Sequence, residues 1–521
     1  MKKPNYLKGL RVVLAILIFV PILLFFVDFA DVLPDNLHTL LHLQIIPAIL
    51  GGMAGLVVFQ FVLALLFGRI YCSVICPAGV LQDIINRVFC IGKKKKKGVR
   101  RFSYHKPMNI LRYSILGLTF VLAVFGMIEL CTLLDPYSNF GRIANNLFRP
   151  VVMWVNNLLA DGLARMDNYT LYHVTISNVT VFGVISALVA LLVFILMVVF
   201  RGTLLSLISR YSFFRISFDK EACTHCGNCE HTCQAEAIDS KNLTVDTSRC
   251  VDCFNCVSSC AKGGLQYRFK PSFKKEAETA RAQTDVIQQA TAPNSRRTFL
   301  SAGATVAVSL PIVSTIAQGM EKGHGKGQHG QGKHGNKWPP IVPPGAISLE
   351  RFKDVCTGCQ ICVTQCPSHV LRPTGLEYGI DYMLKPRIAY IDSYCNYECT
   401  VCSEVCPTHA IKPLTKEEKA TTQVGIATFF INRCIVKTEG TDCGACSEHC
   451  PTQAVHMVPY EGTLTIPQVN PDLCIGCGGC ESICPVRPMR AIIIKANEVH
   501  KFVEKPKEEE VKKVEIDDFG F

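Results

Sequence analysis

Of the 28 cysteines in this 521-residue chain, 24 fall into six tight quartets. The first two are Cys223, Cys226, Cys229, Cys233 and Cys250, Cys253, Cys256, Cys260. After a long interval come Cys356, Cys359, Cys362, Cys366; Cys395, Cys399, Cys402, Cys406; Cys434, Cys443, Cys446, Cys450; and Cys474, Cys477, Cys480, Cys484. Their parent spacing, C-x2-C-x2-C-x3-C, is that of cubane iron–sulfur ligation, and thiolates are the soft anionic donors that suit iron in a sulfide cage. Disulfide frameworks belong to small secreted chains with irregular spacings. Zinc explains C-x2-C pairs but not complete eight-cysteine repeats. The 24 cysteines are therefore expected to ligate the iron of six [4Fe-4S] clusters.

Where two runs fold against each other, three cysteines of one run hold a cluster and the fourth reaches the partner cluster. Cys223, Cys226 and Cys229 then share a set with Cys260, and Cys250, Cys253 and Cys256 with Cys233. Gln234 and Ala261 stand where a proline usually follows the fourth cysteine. The four later runs all end in Cys-Pro, and the second and third are stretched, with three and eight residues after the first cysteine.

The elements that must position these sites begin with apolar runs at Leu10–Ala30, Ile45–Gly68, Ile110–Leu134 and Val179–Phe200, each long enough to cross ~30 Å of hydrocarbon. Basic residues cluster at the start and in 69–108, whereas 31–44 carries only Asp31 and Asp35, which puts the N-terminus and 69–108 inside and 31–44 and 135–178 outside. The formal charge of +12 lies largely at span ends, as in Lys93–Lys97, and so does not point to nucleic acid. Ser295–Gln318 opens with Arg296-Arg297 and continues apolar, as a twin-arginine export signal does, and a fifth crossing there carries the chain out again. In 135–178, apolar residues at helical spacing around Pro150 suggest amphipathic helices in the outer interface. His38 and His42, four apart, are expected on one helix face, and His324, His329 and His334 sit in a glycine-rich tether.

The expected fold class is an α-helical membrane bundle, four spans plus a fifth signal or anchor helix, with two α+β bacterial-ferredoxin-like [4Fe-4S] modules. The expected domains are a membrane domain at 1–215, a cytoplasmic two-cluster domain at 216–270, a linker at 271–294, the signal at 295–318, the tether at 319–345, a periplasmic four-cluster domain at 346–500 and a charged tail at 501–521. No nucleotide motif or Ser/Cys-His catalytic set stands out, so the expected chemistry is electron transfer.

Gly68-Arg69-Ile70-Tyr71-Cys72-Ser73-Val74-Ile75-Cys76-Pro77 resembles the GR-x2-C-x3-CP element of the NapH family, and the four later runs, with Pro-Pro-Gly-Ala at 343–346 and Cys-Pro-Val-Arg-Pro at 484–488, resemble the NapG family. The matching place for a second C-x3-CP, Arg201–Arg210, has no cysteine. The resemblance implies a fusion of quinol dehydrogenase subunits in a bacterial inner membrane. Electrons would come from the membrane quinone pool, with menaquinol as donor, and leave to a periplasmic redox protein or reductase. It also implies that the first of the four later runs pairs with the fourth and the second with the third. Cys72 and Cys76 are a candidate redox pair, a metal site or a packing pair, and Cys90 and Cys131 have no assigned role. Two alternatives remain open: a cytoplasmic electron donor, or an accessory factor that reduces a metal or cofactor for another enzyme. No cofactor evident in the sequence bridges the two blocks across the bilayer.

Overall fold

The computed structural model describes residues 6–29, 33–92, 102–124, 128–174, 181–200, 204–269 and 338–504. Arg296, Arg297, the linker, the three tether histidines and residues 505–521 of the charged tail lie outside them. The axis of the fold is α1 (Tyr6–Val27), a 22-residue helix about 33 Å long. Ala15, Phe19, Ile22, Phe25 and Phe26 recur every three or four residues and are buried, whereas Leu10, Val13, Ile16 and Leu17 are exposed. Each end of α1 holds a different cysteine block. Near its start, Lys8 Nζ donates to Ser258 Oγ at 3.3 Å, and near its end Phe25 O accepts from Gln365 Nε2. Those two contacts are roughly 25 Å apart along the helix.

Among the described residues, α1 is the one helix long and apolar enough to cross a membrane; the apolar stretches at Ala54–Phe67, Asn109–Ala123 and Gly183–Ile195, the last within a longer helix, are shorter. The expectation of four straight spans is corrected accordingly. The run Ile45–Gly68 breaks into α2 (Ile45–Leu50) and α3 (Ala54–Phe67) at Gly51-Gly52. A Cβ on Gly51 would lie 2.8 Å from Thr408 O, so the break admits the backbone of the second cysteine block. Residues 35–43, a 3-10 helix, and α2 fold back inside the bundle, where Gln60 Nε2 donates to Leu43 O at 2.8 Å and Tyr71 Oη donates to Gln44 Oε1 at 3.2 Å. A 3-10 helix turns every three residues, so His38 and His42 do not share a face. His38 packs on Phe25 and His42 stacks on His409 at 5.0 Å.

After α3 come α4 (Ile70–Val74), α5 (Pro77–Gly92), α6 (Asn109–Val124) and α7 (Ile128–Leu133). The outer segment forms α8 (Pro136–Ile143), a wide turn at 144–148 and α9 (Arg149–Ala164), before α10 (Val181–Phe200) and α11 (Leu204–Ser209). Asp135 caps α8 by accepting from Tyr137 N, Ser138 N and Ser138 Oγ. Pro150 starts α9 rather than interrupting it, because proline is tolerated in a first turn. The apolar residues of that segment divide: Ile143 is buried, whereas Val151, Val155, Leu158 and Met166 face outward.

The first cysteine block pairs β1 (Phe214–Phe218) with β4 (Leu265–Phe269) and β2 (Ile238–Asp239) with β3 (Thr244–Val245), around short helices at Asn228–Thr232 and Asn255–Ser259. The second contains three antiparallel pairs: β5 (Leu371–Pro373) with β6 (Pro386–Ile388), β7 (Thr422–Phe429) with β10 (Ile492–Phe502), and β8 (Val455–Pro459) with β9 (Thr465–Val469). In the longest pair Ile492 stands opposite Phe429 and Ile494 opposite Ala427, and the register breaks between Ala496 and Lys501.

Two outcomes follow. Gly51→Val should lower the thermal unfolding midpoint in detergent, by overpacking worth about 1–3 kcal/mol, whereas Gly55→Ala, with nothing within 4 Å, should not lower it. His500 lies within the irregular stretch of β10 with neither ring nitrogen partnered, and burial pulls its pKa down from 6.5 to about 4. Because the unfolded chain binds that proton more readily, stability should be full above about 6.5 and decline as pH falls toward 4. A pH series of unfolding midpoints should flatten in this window for His500→Gln.

Candidate iron–sulfur sites

The C-x2-C-x2-C runs share a local geometry. The residue after the second cysteine is left-handed in the four unstretched runs, at Gly227, Phe254, Gln360 and Gly478, and each precedes the short helix carrying the third cysteine. In the stretched runs Thr400 and Gly444 are at φ −115 instead. Three residues after the fourth cysteine the chain turns left-handed again, at Glu236, Gly263, His369, His409 and Gln453. Glu236 and Gly263 belong to the two runs without proline, so that turn does not depend on it. Amides beyond the turn donate to sulfur: Ala237 N to Cys233 and Ile411 N to Cys406, each at 3.4 Å, and Gly264 N to Cys260 at 3.2 Å. Such bonds stabilise a thiolate.

The neighbours of each thiol define the ligand sets. Burial, then Asp252, Cys256 and Cys233, push the Cys250 thiol up, and Cys256 is affected by burial, then Cys253 and Cys233. Cys233 therefore sits among the second run, as expected. Cys229 has Cys226 and Cys223 as its ionisable neighbours. Gly264, whose amide binds the Cys260 sulfur, lies against Cys223 Cα, so Cys260 closes that set.

The later block departs from the expected pairing. After burial, Cys356 and Cys406 raise the Cys359 thiol, and Cys366 is a neighbour of both Cys399 and Cys402. Cys443, Cys434 and Cys484 surround Cys446, while Cys450 adjoins Cys474, Cys477 and Cys480. The first run thus exchanges its fourth cysteine with the second, and the third run with the fourth. The expectation of first with fourth and second with third is corrected: each exchange here joins runs adjacent in sequence.

These residues fit the group they are expected to hold. Cys434, Cys443, Cys446 and Cys484 line a cavity, with Phe429 and Ile492 among its apolar walls. Among the described residues no three His, Cys, Asp or Glu side chains could close on one metal ion, whereas tetrahedral zinc needs its donors about 2.3 Å from a single point. The set of Cys434, Cys443, Cys446 and Cys484 thus supplies four thiols around a space rather than around a point.

The sets also follow an order. Cys395 N donates to Cys477 O at 2.9 Å, and the buried Tyr390 lies beside both cysteines. This contact joins the pair of sets from the first two runs to the pair from the last two. At the other end, Arg142, 2% exposed, donates to Thr357 O at 3.2 Å and Gly358 O at 3.4 Å, between Cys356 and Cys359. Tyr137, earlier on α8, has Cys359, Asp135, Cys406 and Tyr71 as ionisable neighbours.

Cys72 and Cys76 lie on the same route. Arg69, 1% exposed, donates from Nη1 to Ser248 O at 3.0 Å and from its backbone N to Asp252 at 3.0 Å, and its Nη2 is 3.7 Å from Cys72 Sγ. Gly68 is at φ +76, and a Cβ there would collide with the Asp252 carboxylate, so the Gly-Arg pair seats the first block. Tyr71, beside Cys76, reaches Gln44 and Ile45. Residues from Asp252 through Arg69, Cys72, Cys76, Tyr71 and Asp135 to Tyr137 therefore link the two cysteine blocks through the interior. Sequence reasoning missed Arg142, Tyr137 and Tyr390; for Arg142 the available signal was a lone charge among Tyr137, Phe140 and Ile143.

The chain carries several ferredoxin-type 4Fe-4S domains and is polyferredoxin-like. A 4Fe-4S dicluster family matches residues 215–261, and another 4Fe-4S dicluster family matches 355–410 and 441–487. The first segment spans the first exchanged pair of runs, and the second spans the other pair apart from Cys434. A third family, a 4Fe-4S binding domain, matches residues 48–98, which contain Cys72, Cys76 and Cys90 but no fourth cysteine. An uncharacterized protein of Methanocaldococcus jannaschii is 23% identical over 221 residues, covering 42% of this chain and 72% of that protein. No solved structure matches. These iron–sulfur domains support an electron-transfer role.

Because Cys359 and Cys406 belong to one set, Cys359→Ser, Cys406→Ser and the double variant should lose the same cluster signal and a similar amount of iron. Cys359→Ser with Cys484→Ser should lose two signals. Iron content and EPR of the purified protein decide between them, and additive losses for Cys359 and Cys406 would contradict the pairing.

Proposed function

We propose that this chain is a membrane-bound electron conduit, taking electrons from a quinol and delivering them through its second cysteine block to a periplasmic redox partner, as the resemblance to NapH and NapG implies. The observation that carries this reading is the attachment of the two blocks to opposite ends of α1, at Lys8 and Phe25, with the Cys72–Cys76 segment inside the bundle between them. Exposed apolar residues on several helices favour a lipid surround: Leu10 and Leu17 of α1, Trp154 and Leu158 of α9, Leu188 and Leu192 of α10. The six ligand sets would hold six [4Fe-4S] clusters, which supply one-electron transfer when bound. The protein's part is to order the sets, exclude water from them and set the charge around them.

The Arg69 and Arg142 guanidiniums each hold a backbone loop next to thiolate ligands and offset their negative charge. Cys72 and Cys76, beside Arg69 and Tyr71, are the candidate redox pair between the blocks. In this reading Arg296-Arg297 directs export of the second block.

One feature favours a second reading, entry of electrons from a soluble cytoplasmic donor: Cys226 of the first block is exposed, so its set is within reach of a docked protein. Anaerobic mixing of the cluster-loaded protein with a menaquinol analogue separates the two. Reduction of the second block, seen by EPR and lost in Cys72→Ser and Cys76→Ser, is expected. Clusters that stay oxidised with quinol but accept electrons from a reduced ferredoxin would favour the soluble donor. Arg296→Lys with Arg297→Lys should retain the second block in the cytoplasm.

A further inference from the structure

The first turns of α6 carry a guanidinium without an acceptor. Arg112 is 4% exposed, and its Nε, Nη1 and Nη2 have no hydrogen-bond partner. It lies over the Tyr113 ring at 5.9 Å, at the ~6 Å limit of a useful cation–π contact. The charged groups facing it from other elements are Arg69, before α4, and Asp246 and Arg249, from the first cysteine block. Asp246 is committed elsewhere: its carboxylate accepts from Arg249 Nε at 2.8 Å, Ser248 Oγ at 2.6 Å and Ser248 N at 3.0 Å. Arg249 also gives Nη1 to His105 O, and its buried Nη2 has no partner. Three guanidiniums thus lie near one another, and the one carboxylate facing Arg112 is already occupied. A buried cation left unpaired is costly, and a guanidinium fork matches an oxyanion two bonds at a time.

We infer that Arg112, with Arg249 beside it, binds a phosphate-type oxyanion, and that the occupant is the headgroup of an anionic phospholipid. The choice of a lipid rests on the membrane reading above and on the surface around the site. The same helix carries exposed apolar residues, Ile110 at 84%, Leu118 at 58% and Phe120 at 70%, which put α6 itself against acyl chains. Basic pockets between helices near a cytoplasmic surface suit such headgroups, and the Lys93–Lys97 run lies just before α6 in sequence.

The test uses full-length, cluster-loaded protein, delipidated in a neutral detergent and titrated with phosphatidylglycerol or, separately, with inorganic phosphate. Binding is followed by native mass spectrometry and by the unfolding midpoint. The wild type should take up phosphatidylglycerol and gain thermal stability, with inorganic phosphate binding far more weakly. Arg112→Gln should bind the lipid about ten-fold or more weakly, since a charge-assisted hydrogen-bonded contact is lost. Arg112→Lys, which keeps the charge without the fork, should fall between. Removing an unpaired buried charge is not expected to prevent folding, and unchanged iron content would verify that. Equal lipid affinity in Arg112→Gln would overturn the site. Phosphate binding as tightly as lipid would overturn the lipid assignment in favour of a soluble anion. Fractionation of the same variants tests the membrane reading separately: protein found in the soluble fraction would remove that premise whatever the phosphate arm shows.

Discussion

Two buried arginines hold this structure together. Arg69 and Arg142 are the two largest fully buried side chains among the described residues, and each gives its guanidinium to backbone carbonyls of a cysteine block. Ser248 O precedes Cys250, while Thr357 O and Gly358 O lie between Cys356 and Cys359. Taking a guanidinium out of water is costly, and carbonyl acceptors repay it only where the loops are held in place. The same groups put positive charge next to sets of four thiolates. Seating each block and balancing its charge are therefore one interaction, made once near either end of α1.

That constraint accounts for the departure from four straight spans. The helix break at Gly51 admits Thr408, the turn at Gly68 admits Asp252, and the fold-back of residues 35–50 brings Gln44 to Tyr71. Irregular backbone of this kind is tolerated at membrane depth where protein buries it and satisfies its polar groups. The interior so formed contains Cys72 and Cys76 and runs from one block to the other, which eases the difficulty of two cysteine blocks with no evident cofactor between them.

The cysteine runs were the most legible part of the sequence, because ligation fixes both residue type and spacing. The exchange between Cys233 and Cys260 followed from that spacing alone. The exchange among the four later runs did not: it depends on which runs fold against each other, and spacing is silent on that. Apolar length located α1 but overestimated Ile45–Gly68, since hydropathy does not register a glycine pair that admits a distant backbone. His38 and His42 pair by their spacing in sequence, yet a 3-10 turn separates them and sends His42 to His409, a contact between segments some 370 residues apart that no local pattern encodes.

The proposal that the two cysteine blocks occupy opposite faces of one membrane is tested most directly by a pair of fusions. A reporter active only outside the cytoplasm would be joined after Lys270 in one strain and after Phe521 in another. Blocks on opposite faces give silence from the first and activity from the second. The same response from both would put the blocks in one compartment and contradict the proposal.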